Sequence, residues 1–143
     1  VLDLERLLSL WTEPLPDEAR AIEAFREFYA DPVLVNGSPI TAAGLVARAR
    51  AQQVAFSDVR LQLLERVESA DKLVIVFVQR ARHTGPLQTP LGEVAPTGHW
   101  MERQIIDVLT VRQGVVTEVR VVGDELGSLV RLGALKLATD AGS

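Results

Sequence analysis

Ile106-Asp-Val-Leu-Thr-Val-Arg-Gln-Gly-Val-Val-Thr-Glu-Val-Arg-Val-Val-Gly-Asp124 is the stretch on which the fold turns. Two runs of period-two alternation flank Gln113-Gly114, which reads as a two-residue hairpin turn. That turn sets Arg112 opposite Val115. Counting outward sets Asp107 opposite Arg120 and Arg103 opposite Asp124. Opposed residues, and residues two apart, share a face of the sheet. One face then carries Met101, Arg103, Ile105, Asp107, Leu109, Arg120 and Asp124, and suits a pocket lining. The other carries Ile106, Val108, Val119 and Val121. That apolar patch suits a second layer, most simply a second copy of the chain. A slip of one residue would undo these pairs.

The same alternation runs upstream. Lys72 to His83 places Leu73, Ile75, Phe77, Gln79, Ala81 and His83 on one side, with His83 reaching the mouth of the same pocket. Asp58 to Val67 and Gly98 to Arg112 are further strand-like runs. Before them, helical spacing predicts an opening helix around Leu2, Leu4, Leu7, Leu8 and Trp11. A second starts at Pro16-Asp-Glu-Ala, carries Ala21, Ile22, Phe25, Phe28 and Tyr29 on its apolar side, and is broken by Asp31-Pro32. Val33 to Asn36 is a short extended piece closed by the turn dipeptide Asn36-Gly37. Thr41 caps a third helix running to about Gln53. A last apolar helix spans Leu126 to Leu135, with Asp124 just before it. Residues 84–97, rich in Gly and Pro, read as a long loop of the kind that borders functional sites. Helices first and a strand meander afterwards give an α+β fold, a curved antiparallel sheet with helices on one face. Residues 1–143 form one domain.

Composition narrows the function. The 143 residues are 48% hydrophobic and 24% charged, with a net charge of −4, which argues for a globular chain and against a nucleic-acid binder. There are no cysteines and only two histidines, His83 and His99, so thiolate chemistry is excluded and a multi-histidine metal site is not expected. The charged first residues do not look like a signal peptide, and no run approaches the roughly 18 apolar residues of a membrane span. A soluble cytoplasmic protein is expected, with no membrane partner.

Several motifs, in order, carry a family resemblance: Asp31-Pro-Val-Leu-Val-Asn-Gly37, His83-Thr-Gly85, Pro96-Thr-Gly98, Ile106-Asp-Val108, Gly123-Asp124 and Leu129-Val-Arg-Leu-Gly133. From about Pro16 to Gly133 the chain resembles the SnoaL-like polyketide cyclases, within the cone-shaped nuclear-transport-factor-2-like fold. The resemblance implies a cofactor-free, metal-free enzyme in which Asp124 is the acid/base for an intramolecular aldol closure on a small apolar carbonyl compound. His83, Asp107 and Arg120 are expected beside it, and Tyr29, Phe77, Gln79, Met101, Arg103 and Ile105 along the substrate. The chain departs from its relatives at Val119-Arg120, where many carry a His-Trp pair.

Plainer roles stand beside these. Asp124 also suits a helix N-cap. Asp107 and Arg120 suit a cross-strand ion pair, His83 a surface imidazole, Tyr29 a helix-end tyrosine with a wet tip, and Asn36 a turn. Two other functions remain open. One is epoxide hydrolysis of the limonene-epoxide-hydrolase type, with Asp107, Arg120 and Asp124 activating water. The other is a non-catalytic, dimeric small-ligand binder. A ketosteroid-isomerase reading is weaker, because Asp124 does not take the place of that base.

Overall fold

A computed structural model describes residues 2–138. Each of its four helices starts on a side-chain cap. Asp3 accepts the Arg6 N–H at the head of α1 (Leu4–Thr12), and Asp17 that of Arg20 at α2 (Glu18–Arg26). Thr41 accepts from Gly44 at α3 (Ala42–Ala55), and Asp124 from Gly127 at α4 (Glu125–Arg131). Such caps contribute about 1 kcal/mol each. The second helix is shorter than its apolar spacing predicts. It ends at Arg26, and Tyr29 opens strand β1 (Tyr29–Val35). The last helix likewise stops at Arg131, short of Leu135.

Short β2 (Ser38–Ile40) pairs back on β1. The long strands β3 (Phe56–Ser69), β4 (Lys72–His83), β7 (Trp100–Arg112) and β8 (Val115–Gly123) complete a six-stranded sheet in the order β2-β1-β8-β7-β4-β3. The sheet is mixed and not wholly antiparallel, because β1 runs parallel to β8. Asn36 fixes that junction: its side chain donates to the Val121 carbonyl at 3.3 Å and accepts the Val121 N–H at 2.9 Å. The segment expected as a loop holds a small hairpin, β5 (Leu87–Thr89) with β6 (Gly92–Val94).

The β7–β8 register corrects the expected one. Arg112 does face Val115, but a bulge follows: Val111 pairs with Val116, and Thr110 with Glu118. Thr117 is the extra residue, and from there every partner shifts by one. Asp107 lies opposite Val121, and Arg120 opposite Val108. The inner face gains Val119 and Val121 and loses Arg120. The outer face carries Val76, Ile106, Val108, Arg120 and Val122, with Ile106 42% and Val122 72% exposed.

α1, α2 and α3 pack on the inner face around Phe25, Tyr29, Leu45, Val46, Ile75 and Leu109. A second cluster, Ala55, Phe56, Ala81, Met101 and Leu132, sits where α4 crosses the sheet end. Arg131 ties α4 down by donating to the Glu102 carbonyl.

Candidate functional site

Between the sheet and the helices α1 and α3 lies a cavity of about 460 Å³. Its roof is Leu7, Leu8, Trp11 and Thr12 from α1 and Leu45, Arg48, Ala51 and Gln52 from α3. Its floor is alternate residues of β7 and β8: Arg103, Ile105, Asp107 and Leu109, then Val119, Val121 and Gly123. Tyr29, Val35, Leu61, Phe77, Gln79 and Glu125 complete the lining. Of the residues singled out from the sequence, Tyr29, Phe77, Gln79, Arg103, Ile105 and Asp107 line this cavity, Tyr29 from β1 and not from the second helix.

Four expected residues stand elsewhere. Arg120 is on the opposite face of the sheet, exposed, 3.4 Å from Glu118. Met101 is buried in the second cluster. His83 is fully buried and lies outside the cavity. Its Nδ1 accepts the Thr97 N–H at 3.2 Å, with the Thr97 hydroxyl 3.0 Å away. The ring packs at 5.7 Å on Phe56. His83-Thr-Gly85 thus latches the loop to the end of α3, where Thr84 and Gly85 both donate to the Ala55 carbonyl. Asp124 is exposed and outside the cavity lining. Its Oδ1 accepts the Gly127 N–H at 2.9 Å. Strand alternation gives the reason: Val119, Val121 and Gly123 face inward, so Asp124 does not.

The polar groups of the cavity form two sets. At the mouth, Arg103 donates from Nη1 to both Glu125 oxygens, at 2.7 and 2.9 Å, and from Nη2 to Gln79 Oε1 at 2.7 Å. Deeper, the Tyr29 hydroxyl accepts the Trp11 indole N–H at 3.0 Å. Trp11, Phe25 and Tyr29 pack ring on ring, and burial holds the phenol in its neutral form well above its usual range. Asp107 lies between the two sets. Burial pushes its carboxyl up to about 6, against the opposing pull of the Arg103 guanidinium. Its Oδ1, the Arg103 Nε–H and Gln52 Oε1 are buried with no hydrogen-bond partner among the described residues. Buried polar atoms are rarely left so, and here they line a space a ligand can enter.

Trp11, Gln52 and Glu125 were not among the residues the sequence singled out for the site. The spacing of α1 and α3 marked Trp11 and its neighbours as helical, but nothing local distinguishes a cavity-facing residue from a core one. Glu125 follows the cap residue, and only the register of β8 reveals where it points. No group of three His, Asp or Glu among the described residues is placed to hold a metal ion. No helix among them is long and apolar enough to cross a membrane.

Residues 5–132 match the family model of the SnoaL-like polyketide cyclases. No curated protein sequence matches the chain. Among solved structures, TsrD from Streptomyces laurentii superposes with a TM-score of 0.75 at 21% identity, covering 92% of both chains. AclR from Streptomyces galilaeus, assigned provisionally as a hydroxylase, superposes at 0.70 and 19% identity, over 93% of this chain and 94% of that one. A SnoaL-like polyketide cyclase from Agrobacterium tumefaciens gives 0.68 at 18% identity, over 90% and 91%. At these identities the likeness speaks for the fold.

Proposed function

The chain belongs to the SnoaL-like polyketide cyclase family, and from that premise we propose that it moves a proton on a small, largely apolar carbonyl compound, with Asp107 as the acid/base. The observation that carries the reading is a carboxyl with an unpartnered oxygen on the floor of an apolar cavity, where burial pushes its proton affinity up to about 6. A general base works best when its proton affinity lies near the working pH. An ordinary surface aspartate is far too weak a base for that.

Above about pH 6 the Asp107 carboxylate takes the proton from a carbon next to a carbonyl. The resulting enolate oxygen is met by the free Arg103 Nε–H on the mouth side of Asp107, and the neutral Tyr29 hydroxyl is left for a second ligand oxygen on the deeper side. In a cyclisation, the enolate carbon then forms the new carbon–carbon bond with a second carbonyl of the same molecule. Protonated Asp107 returns its proton to the alkoxide, so the carboxylate is regenerated and no external reactant is consumed. The cavity contributes by holding the flexible chain folded, a proximity effect. Gln52 Oε1, an open acceptor in the roof, favours a ligand that also carries a hydroxyl or N–H.

Epoxide opening by Asp107, Arg120 and Asp124 acting together has less support, since only Asp107 reaches the cavity. Pairing of two copies through the outer face, around Val76, Ile106 and Val122, remains part of the proposal. The test of function is a thermal-shift panel of two-ring aryl ketones, such as 1-tetralone and 2-acetylnaphthalene, against hydrocarbons of the same shape. Ketones that stabilise the folded state more than their hydrocarbon partners are the expected result. Equal stabilisation would reduce the site to a generic apolar hole and leave only the non-catalytic binder.

A further inference from the structure

The Arg103 side chain is only 16% exposed, yet its partner Glu125 is 63% exposed. Both terminal nitrogens of Arg103 are taken up at the cavity mouth, by Glu125 and by Gln79. Arg103 and Asp107 are four residues apart on one strand and face the same cavity. Even so, no ion pair joins them among the described residues. The backbone is shaped for the outer pair. A Cβ on Gly123 would lie 2.9 Å from Glu125 Oε1, so the missing side chain leaves room for that carboxylate where it now sits. Asp124 caps α4 and so fixes its first residue, Glu125, at the mouth.

We propose that Glu125 is a positioning residue: it holds the Arg103 guanidinium at the mouth, out of contact with Asp107, and so leaves Asp107 free to give and take a proton. The inference rests on reading Asp107 as the acid/base. Released from Glu125, the arginine has one other carboxylate in the cavity, Asp107, whose ionised form it already favours electrostatically. A carboxylate paired with arginine stays ionised, is a weaker base, and cannot return a proton to an alkoxide. The run Gly123-Asp124-Glu125 then forms one device: space, cap and clamp. The charged and titratable groups that share the cavity with Asp107 are Tyr29 from β1, Arg48 from α3, Arg103 from β7 and Glu125 from α4. The residues lining it from α1, β3, β4 and β8 are uncharged. Arg48 is exposed and Tyr29 is neutral, which leaves Arg103 as the cation that opposes the effect of burial on Asp107.

The test is a carbon-13 titration of the Asp107 carboxyl in the wild type, in Glu125→Gln, and in both arginine backgrounds, Arg103 and Arg103→Gln. Glu125→Ala serves as a second variant, and backbone amide spectra report folding. The expected result is a midpoint that falls by about 1–3 units in Glu125→Gln, as an added arginine contact would cause. In the Arg103→Gln background the same substitution should then shift nothing, because its effect runs through Arg103. A wild-type midpoint near 6 with no shift in Glu125→Gln would overturn the clamp and leave the role of Asp107 standing. An equal fall in both backgrounds would assign the effect to the charge of Glu125 alone and also overturn it. A wild-type midpoint in the ordinary aspartate range would remove both.

Discussion

Replacing Asp107 by Asn should stabilise the protein, and by an amount that depends on pH. Asn keeps the shape and cannot ionise. In the wild type, burial pushes the carboxyl up to about 6 in the folded chain, from an ordinary aspartate value of 3.8. The folded state therefore holds this proton more tightly than the unfolded state. Stability from this group is fully present below about pH 4 and is lost as pH rises through 6. About two units at roughly 1.4 kcal/mol each make the cost about 3 kcal/mol once both states are ionised. The linkage expression puts the gain in Asp107→Asn at under about 1 kcal/mol at pH 4, about 2 at pH 5 and about 3 at pH 8. For a chain of this size the last figure corresponds to a rise in Tm on the order of 10 °C. Urea unfolding of both proteins, followed by circular dichroism from pH 4 to 8, measures the difference. All other titrations are common to the two proteins and cancel. A difference that does not change with pH would refute the buried, titrating carboxyl. So would a variant less stable than the wild type at pH 8. Activity should move the opposite way, with turnover lost, as expected where a strained group does chemistry.

Other substitutions separate the remaining roles. Asp124→Ala should cost about 1 kcal/mol in urea unfolding, whereas Asp124→Asn should cost almost nothing, because asparagine caps equally well; a stable Asp124→Asn protein without turnover would return the acid/base role to Asp124. Gly85→Ala should destabilise severely, since its Cβ would sit 1.9 Å from the Val54 carbonyl oxygen, and a Tm within a few degrees of wild type would contradict the latch. Ile106→Lys, at an exposed outer-face position, should leave the unfolding of the monomer unchanged and abolish the dimer in sedimentation; a wild type that sediments as a monomer would remove that part of the proposal.

The sheet was legible because strand β4 and the inner positions of β7 follow plain alternation, and Gln113-Gly114 is an unambiguous turn. What failed was a single residue. The bulge at Thr117 leaves no turn signal, yet it reverses the facing of every residue from Glu118 to Gly123. Burial energetics held a clue: the expected register turns Arg120 into an apolar interior, and the observed one turns Val119 and Val121 inward instead. Asp124 misled for a related reason. A carboxylate before a helix reads equally well as a cap or as an acid, and only the inward turn of Gly123 shows that its side chain leaves the cavity. His83 followed the inner face as expected, but the strand outruns the cavity, so its last residues are buried under the loop and α4. Asp107 was placed correctly for a reason independent of its supposed partner, since β7 alternation alone puts it with Ile105 and Leu109.

Exchange of α-protons in deuterated water distinguishes Asp107 from Asp124 as the group that moves the proton. Ketones that bind in the thermal-shift panel are incubated with the wild type, Asp107→Asn and Asp124→Asn, and deuterium uptake next to the carbonyl is followed by proton NMR. Rapid uptake with the wild type and Asp124→Asn, and background uptake with Asp107→Asn, is the predicted result. Exchange that survives in Asp107→Asn and disappears in Asp124→Asn would contradict the account.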